Sequence, residues 1–131
     1  MQSYPKGHSM QEIIERYIAA WNETDPRLRG SLVDELWAAD ASYTDPLTEV
    51  HGRNEIDATI AAVQQQFPGW VFRLGGPVDA NHNQARFTWH LGPDPSTRGE
   101  PVVIGFDVAV LNDHGQICSV HGFLDKVPAA A

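Results

Sequence analysis

Residues 102–111 constrain this chain more than any other stretch. Read with the two-residue period of a strand, one face is Val102, Ile104, Phe106, Val108 and Val110, and the other is Val103, Gly105, Asp107, Ala109 and Leu111. Both faces are too apolar for a sheet with one side in water, so the strand has to be covered twice. Helices can cover one side, and the expected cover for the other is a second copy of the chain, giving a homodimer through the outer sheet face. Periodicity alone leaves open which face meets the helices. With the Asp107 face inside, Gly105 and Ala109 leave room around a carboxylate, as a ligand pocket requires. With the bulky face inside, Asp107 meets water.

The preceding half of the chain reads as helices. Ser9 and Glu12 make a capping box, and Ile13, Ile14, Tyr17, Ile18 and Trp21 follow at helical spacing, so Tyr17 lies on a buried stripe. Asp25-Pro26 reads as an N-cap with proline in the first turn, and Leu28, Leu32, Leu36 and Trp37 give the second helix its apolar face. Proline disfavours helix for the residue before it, so Asp45, in Tyr43-Thr44-Asp45-Pro46, is expected on extended backbone at a corner. A loop through Gly52 should follow, then a third helix capped by Asn54, facing inward with Ile56, Ile60, Val63 and Phe67 and stopped by Pro68-Gly69.

From Trp70 onward the punctuation is that of strands. Runs at 70–74, 85–91, 102–111 and 117–124 are separated by Asn81-His82-Asn83, by the turn-rich stretch 92–99 and by Asn112-Asp113-His114-Gly115. Such short links favour antiparallel pairing. About three N-terminal helices followed by a meander make an α+β arrangement, helices packed on one face of a curved, mainly antiparallel sheet. At 131 residues the expected organisation is a single domain, 1–131, with its core at about 9–126.

Nine basic against seventeen acidic residues leave a net charge of −8, with no Lys/Arg cluster. That balance opposes phosphate backbones and anionic membrane surfaces, so neither nucleic acid nor membrane is an expected partner. No apolar run has signal-peptide or transmembrane length, and the single Cys118 can form no intramolecular disulfide; the cytoplasm is the expected compartment. His8, His51, His82, His90, His114 and His121 include no i, i+4 helical pair, so no metal site is expected. His90 and His121 lie on strands, as acid–base groups or polar interface residues. Gly75-Gly76-Pro77 ends a strand without opening a helix, and no Gly-x-Ser-x-Gly motif is present, so neither a phosphate loop nor that nucleophile is expected.

Three separated pieces, Arg16-Tyr17-Ile18-Ala19-Ala20-Trp21-Asn22, Tyr43-Thr44-Asp45-Pro46 and Val102-Val103-Ile104-Gly105-Phe106-Asp107, resemble the bacterial Δ5-3-ketosteroid isomerases. More widely they resemble the NTF2-like superfamily, which includes the SnoaL-like polyketide cyclases. The resemblance implies an NTF2-like cone enclosing a pocket. It implies Asp45 as the proton-transferring base, with Tyr17 and a protonated Asp107 as donors to the substrate oxygen. It further implies a pocket lined by Phe87, Trp89, Leu91, Val120, Gly122 and Leu124, to which the sequence adds Tyr43 and Ala109, and a dimer interface on the bulky strand face.

Abstracting a proton beside a carbonyl builds negative charge on its oxygen, so a base and opposing donors are what the chemistry needs. Ketosteroid isomerase is itself the standard worked case of a carboxylic acid kept neutral by an apolar site. The residues also admit plainer readings: Asp45 as a turn former, Tyr17 as a core tyrosine with its hydroxyl satisfied, Asp107 as a solvent-facing charge. The expectation is a cofactor-free proton-transfer enzyme, an isomerase or cyclase acting on a hydrophobic carbonyl compound through an enolate. The alternative is a non-catalytic small-molecule binding or dimerisation module.

Overall fold

The computed structural model describes residues 9–93 and 101–128. His8 and most of the turn expected at 92–99 lie outside the described residues. Ser9 caps α1 (Met10–Asn22), its hydroxyl accepting from the Glu12 amide at 3.1 Å, and the stripe Ile13, Ile14, Tyr17, Ile18 and Trp21 is buried. Asp25 caps α2 (Pro26–Leu36) by accepting from the amides of Arg27 and Leu28.

The inner face of α2 differs from the expected one. Arg29, Val33 and Leu36 are buried, whereas Leu28 is 43% exposed and Trp37 has left the helix. The rotation follows from Arg29, whose guanidinium is drawn inward to Asp57 at 2.8 Å and to the Gln64 side chain at 3.0 Å. Both partners belong to α3 (Arg53–Gln66). That helix starts after Gly52 (φ +87°) rather than at an Asn54 cap; no side chain caps Gly52, and Glu55 reaches back to the His51 amide. Pro68-Gly69 lies just past its end, as expected.

Between α2 and α3 the chain forms a hairpin, β1 (Trp37–Asp45) and β2 (Thr48–His51), where the sequence reads as a helix end and a loop. A register shift between Trp37 and Ser42 hides the strand: Trp37 and Ala38 are buried in succession, then Ala39 and Asp40 are exposed in succession. The two-residue alternation exists only in its last half. Asp45 closes β1 and is extended, as its proline requires.

The remaining strands are β3 (Val71–Leu74), β4 (Asp79–Asn81), β5 (Gln84–Gly92), β6 (Val103–Leu111) and β7 (Ile117–Lys126). They match the four expected runs, with β4 as an addition too short to show a period. The sheet order is β2-β1-β7-β6-β5-β3, with β4 also on β5; β1 and β7 run parallel and the other pairs antiparallel. In β6 it is Val103, Gly105, Asp107, Ala109 and Leu111 that are buried, and the bulky face that is half-buried. The Asp107 side therefore faces the interior. Among the described residues no helix is long and apolar enough to cross a membrane.

Candidate active site

Three adjacent strands set the site. In the β6–β7 ladder Asp107 stands opposite Gly122, and in the parallel β1–β7 ladder Thr44 stands opposite His121, which brings Asp45 alongside Gly122. A Cβ on Gly122 would lie 2.8 Å from Asp107 Oδ1 and 3.2 Å from the Asp45 Cβ. Glycine is thus what allows the two carboxyl side chains to flank one point of β7. Tyr17 comes down from α1, and its hydroxyl donates to Asp107 Oδ2 at 2.9 Å. Tyr17 is 1% exposed and Asp107 2%, so this contact is closed to bulk water.

Asp45 divides its oxygens. Oδ1 accepts from the amides of Leu47 (2.8 Å) and Thr48 (3.0 Å), which closes the hairpin turn; Oδ2 accepts from the Tyr43 hydroxyl at 2.7 Å. The turn-forming reading and the reactive reading are therefore compatible. With both lone pairs of Oδ1 engaged, Oδ2 keeps one that can take a proton.

Burial and the two carboxyl groups dictate the protonation pattern. Asp107 is pushed up to about 6, first by desolvation, with the charge of Asp45 adding to it, while hydrogen bonding from Trp89 and Tyr17 draws it partly back. Tyr17 and Tyr43 are raised well above the usual phenol value, chiefly by desolvation and then by the negative charge of Asp107, so both remain neutral donors. Trp89 lies flat over Gly105, its partner across the β5–β6 ladder: a Cβ there would come within 2.0 Å of the indole.

These groups open onto a cavity of about 320 Å³, at the small end of the range for ligand pockets. Of the residues expected to line it, Tyr17, Tyr43, Asp45, Trp89, Leu91, Asp107 and Leu124 do so. Phe87, Ala109, Val120 and Gly122 stand behind the wall instead. The first three are each at most 1% exposed, and the Phe87 ring backs Tyr17 edge-on at 5.5 Å, supporting the site without reaching a ligand. The wall also includes Ile18, Trp21, Leu47, Phe67 and Phe72. Trp21 was visible as a stripe residue four positions after Tyr17; Leu47 could not be assigned without the hairpin. His90 and His121 do not line the cavity. His90 packs on Gly75, on the outward side of β5, and His121 is exposed. Among the described residues no three His, Cys, Asp or Glu side chains gather as a metal site would require.

The architecture is NTF2-like: an NTF2-like protein of unknown function from Cytophaga hutchinsonii shares it at a TM-score of 0.68 and 11% identity, over 92% of this chain and 94% of that one. Within that class the chain belongs to the SnoaL-like family, whose domain model matches residues 14–120. A crystal structure of a proposed isomerase of the SnoaL-like family from Agrobacterium tumefaciens is 43% identical, with a TM-score of 0.80, over 86% of this chain and 94% of that one. A proposed polyketide cyclase from Sinorhizobium meliloti is 20% identical with a TM-score of 0.65, over 85% and 93% of the two chains, a likeness of fold. No functionally curated protein matches the sequence.

Proposed function

We propose that this SnoaL-like protein is a cofactor-free proton-transfer enzyme that acts on a hydrophobic carbonyl compound through an enolate, as ketosteroid isomerases and polyketide cyclases do. The observation that carries the reading is the buried 2.9 Å Tyr17–Asp107 pair facing Asp45 in one apolar cavity. The substrate carbonyl oxygen sits at Tyr17, whose hydroxyl turns to it from Asp107, and at Asp107 itself, which donates in its protonated form, the form it holds below about pH 6; Asp45 Oδ2 removes the proton from the adjacent carbon. The C–H electron pair becomes the enolate double bond, and the carbonyl π pair moves onto the oxygen, where the two donors meet it. Asp45 then returns the proton at another carbon, giving an isomer, or the enolate carbon attacks a second carbonyl of the same molecule, whose π pair moves onto its own oxygen and takes the proton from Asp45, giving a ring. Trp89, Leu91, Phe72 and Leu124 supply apolar walls that strengthen these contacts by excluding water.

Convergence of the three side chains favours this reading over a binding module, which has no need of a carboxylate opposite a second, buried carboxyl group that burial makes easier to protonate. Asp45→Asn tests it. The variant should keep its fold by circular dichroism and lose turnover of a Δ5-3-ketosteroid or related enolisable ketone by at least about 100-fold, the lower range for a general base. Turnover equal to that of the wild type would remove Asp45 as the base.

A further inference from the structure

We infer that Tyr43 is a further catalytic residue, the second station of a relay that carries the proton collected by Asp45 to a newly formed alkoxide. The site is then built to close a ring in a hydrophobic diketone rather than to move a double bond. The inference rests on the enolate reading above and decides between the two outcomes it leaves open. Tyr43 and Asp45 stand two residues apart on β1, so their side chains leave the same face of the strand. The Tyr43 hydroxyl reaches along that face and donates to Asp45 Oδ2 at 2.7 Å, the oxygen whose other lone pair is left for the substrate proton. Both residues border the cavity. The hairpin turn does not need this bond, because the amides of Leu47 and Thr48 already close it on Oδ1. The phenol ring is seated by the rings of Trp21 at 5.6 Å and Trp37 at 6.4 Å, which fixes its hydroxyl at the tip of Asp45.

Isomerisation moves one proton from carbon to carbon, and Asp45 can perform both halves alone. Ring closure takes the proton from a carbon and must deliver it to an oxygen, the one that belonged to the second carbonyl. A base aimed at the first carbon is not aimed at that oxygen. Tyr43 supplies the second position. Once Asp45 holds the substrate proton it has no charge left to retain the phenol hydrogen. Its O–H turns to donate to the Tyr43 oxygen, and the Tyr43 hydrogen turns to the cavity. As the enolate carbon bonds to the second carbonyl carbon, the π pair of that carbonyl becomes a lone pair on its oxygen. Tyr43 gives its proton there and takes the one on Asp45. The turnover ends with a new C–C bond, a hydroxyl on the ring, a neutral tyrosine and an ionised Asp45, with nothing oxidised or reduced. Burial, with the charges of Asp107 and Asp45 beside it, raises Tyr43 well above the usual phenol value, so it always has a proton to give.

The test uses 1-phenylhexane-1,5-dione in heavy water, a probe whose terminal methyl carbon can close a six-membered ring on the phenyl ketone. Deuterium uptake beside the methyl ketone, above the buffer rate, reads proton removal by Asp45. Formation of the cyclic hydroxyketone, and of the enone it dehydrates to, reads proton delivery to oxygen. Tyr43→Phe keeps the aromatic ring and removes the hydroxyl. The ratio of ring closure to deuterium uptake should fall by at least about 100-fold, the lower range for a general acid. Both readouts come from the folded fraction, so the ratio does not depend on how much of the variant folds. An unchanged ratio overturns the inference, and so does a wild type that takes up deuterium without closing the ring. A second measurement needs no variant: the wild-type rate of closure in mixtures of light and heavy water should bow below a straight line, because two protons move in one step, and a straight or flat dependence overturns the relay. A wild type that takes up no deuterium removes the enolate reading and the relay with it, whereas uptake with an unchanged ratio in Tyr43→Phe removes the relay alone.

Discussion

Asp107 shows what burial does to a single carboxyl group. Its unfolded value is 3.8 and its folded value is pushed up to about 6, so between those pH values the folded chain binds more protons than the unfolded one, and stability falls as pH rises. The stabilising contribution is complete below the unfolded value and lost as pH climbs through the folded one. Its size is about 3 kcal/mol. Asp107→Asn imitates the neutral acid and can still accept from Tyr17. Urea denaturation should therefore find variant and wild type of similar stability near pH 4, and the variant more stable by up to about 3 kcal/mol above pH 7. A pH-independent difference would mean that Asp107 does not titrate in this way. The residue types of Tyr17, Asp45 and Asp107 were legible in the sequence, as was the small neighbourhood of Asp107. The partnership of Tyr43 with Asp45 was not, because it exists only if both residues share one side of a strand.

At the scale of elements, β6 was legible because its alternation runs without interruption from Val103 to Leu111, and α1 because cap and stripe agree. The strand that carries Asp45 was hidden by alanines compatible with either structure and by a register shift that breaks its period. β5 and β6 meet most tightly where Trp89 lies over Gly105. An alanine there would meet the indole at 2.0 Å and force it off its seat beside Asp107. Gly105→Ala should cost roughly 1–3 kcal/mol, the usual range for overpacking a filled site. The cost should shrink sharply in a Trp89→Leu background, where the colliding atoms are gone, and a double-mutant cycle by urea denaturation measures that coupling. Additive losses would show that the glycine is required for some reason other than the indole.

For the whole molecule, the sheet leaves an outer face of Ile104, Phe106, Val108 and Val110, half-buried, beside Phe123 at 56% exposure. We propose that a second copy of the chain covers it, as the sequence of β6 leads one to expect. Two copies each carrying −8 repel, and screening shortens the reach of that repulsion to about 3 Å at 1 M salt. Self-association should therefore tighten with added salt, whereas a dimer held by ion pairs would loosen. Val108→Glu puts a charge in the middle of the apolar patch without touching the cavity wall. Sedimentation velocity at micromolar concentration should find the wild type at twice the chain mass and the variant at the chain mass. The variant's near-ultraviolet circular dichroism should be unchanged, because the inner face that holds Tyr17, Asp45 and Asp107 is built from the opposite side of the same strands. A monomeric wild type, or a variant that stays paired, would leave the outer face without this partner. Either result would leave the inner face untouched, since every residue of the candidate site comes from one chain.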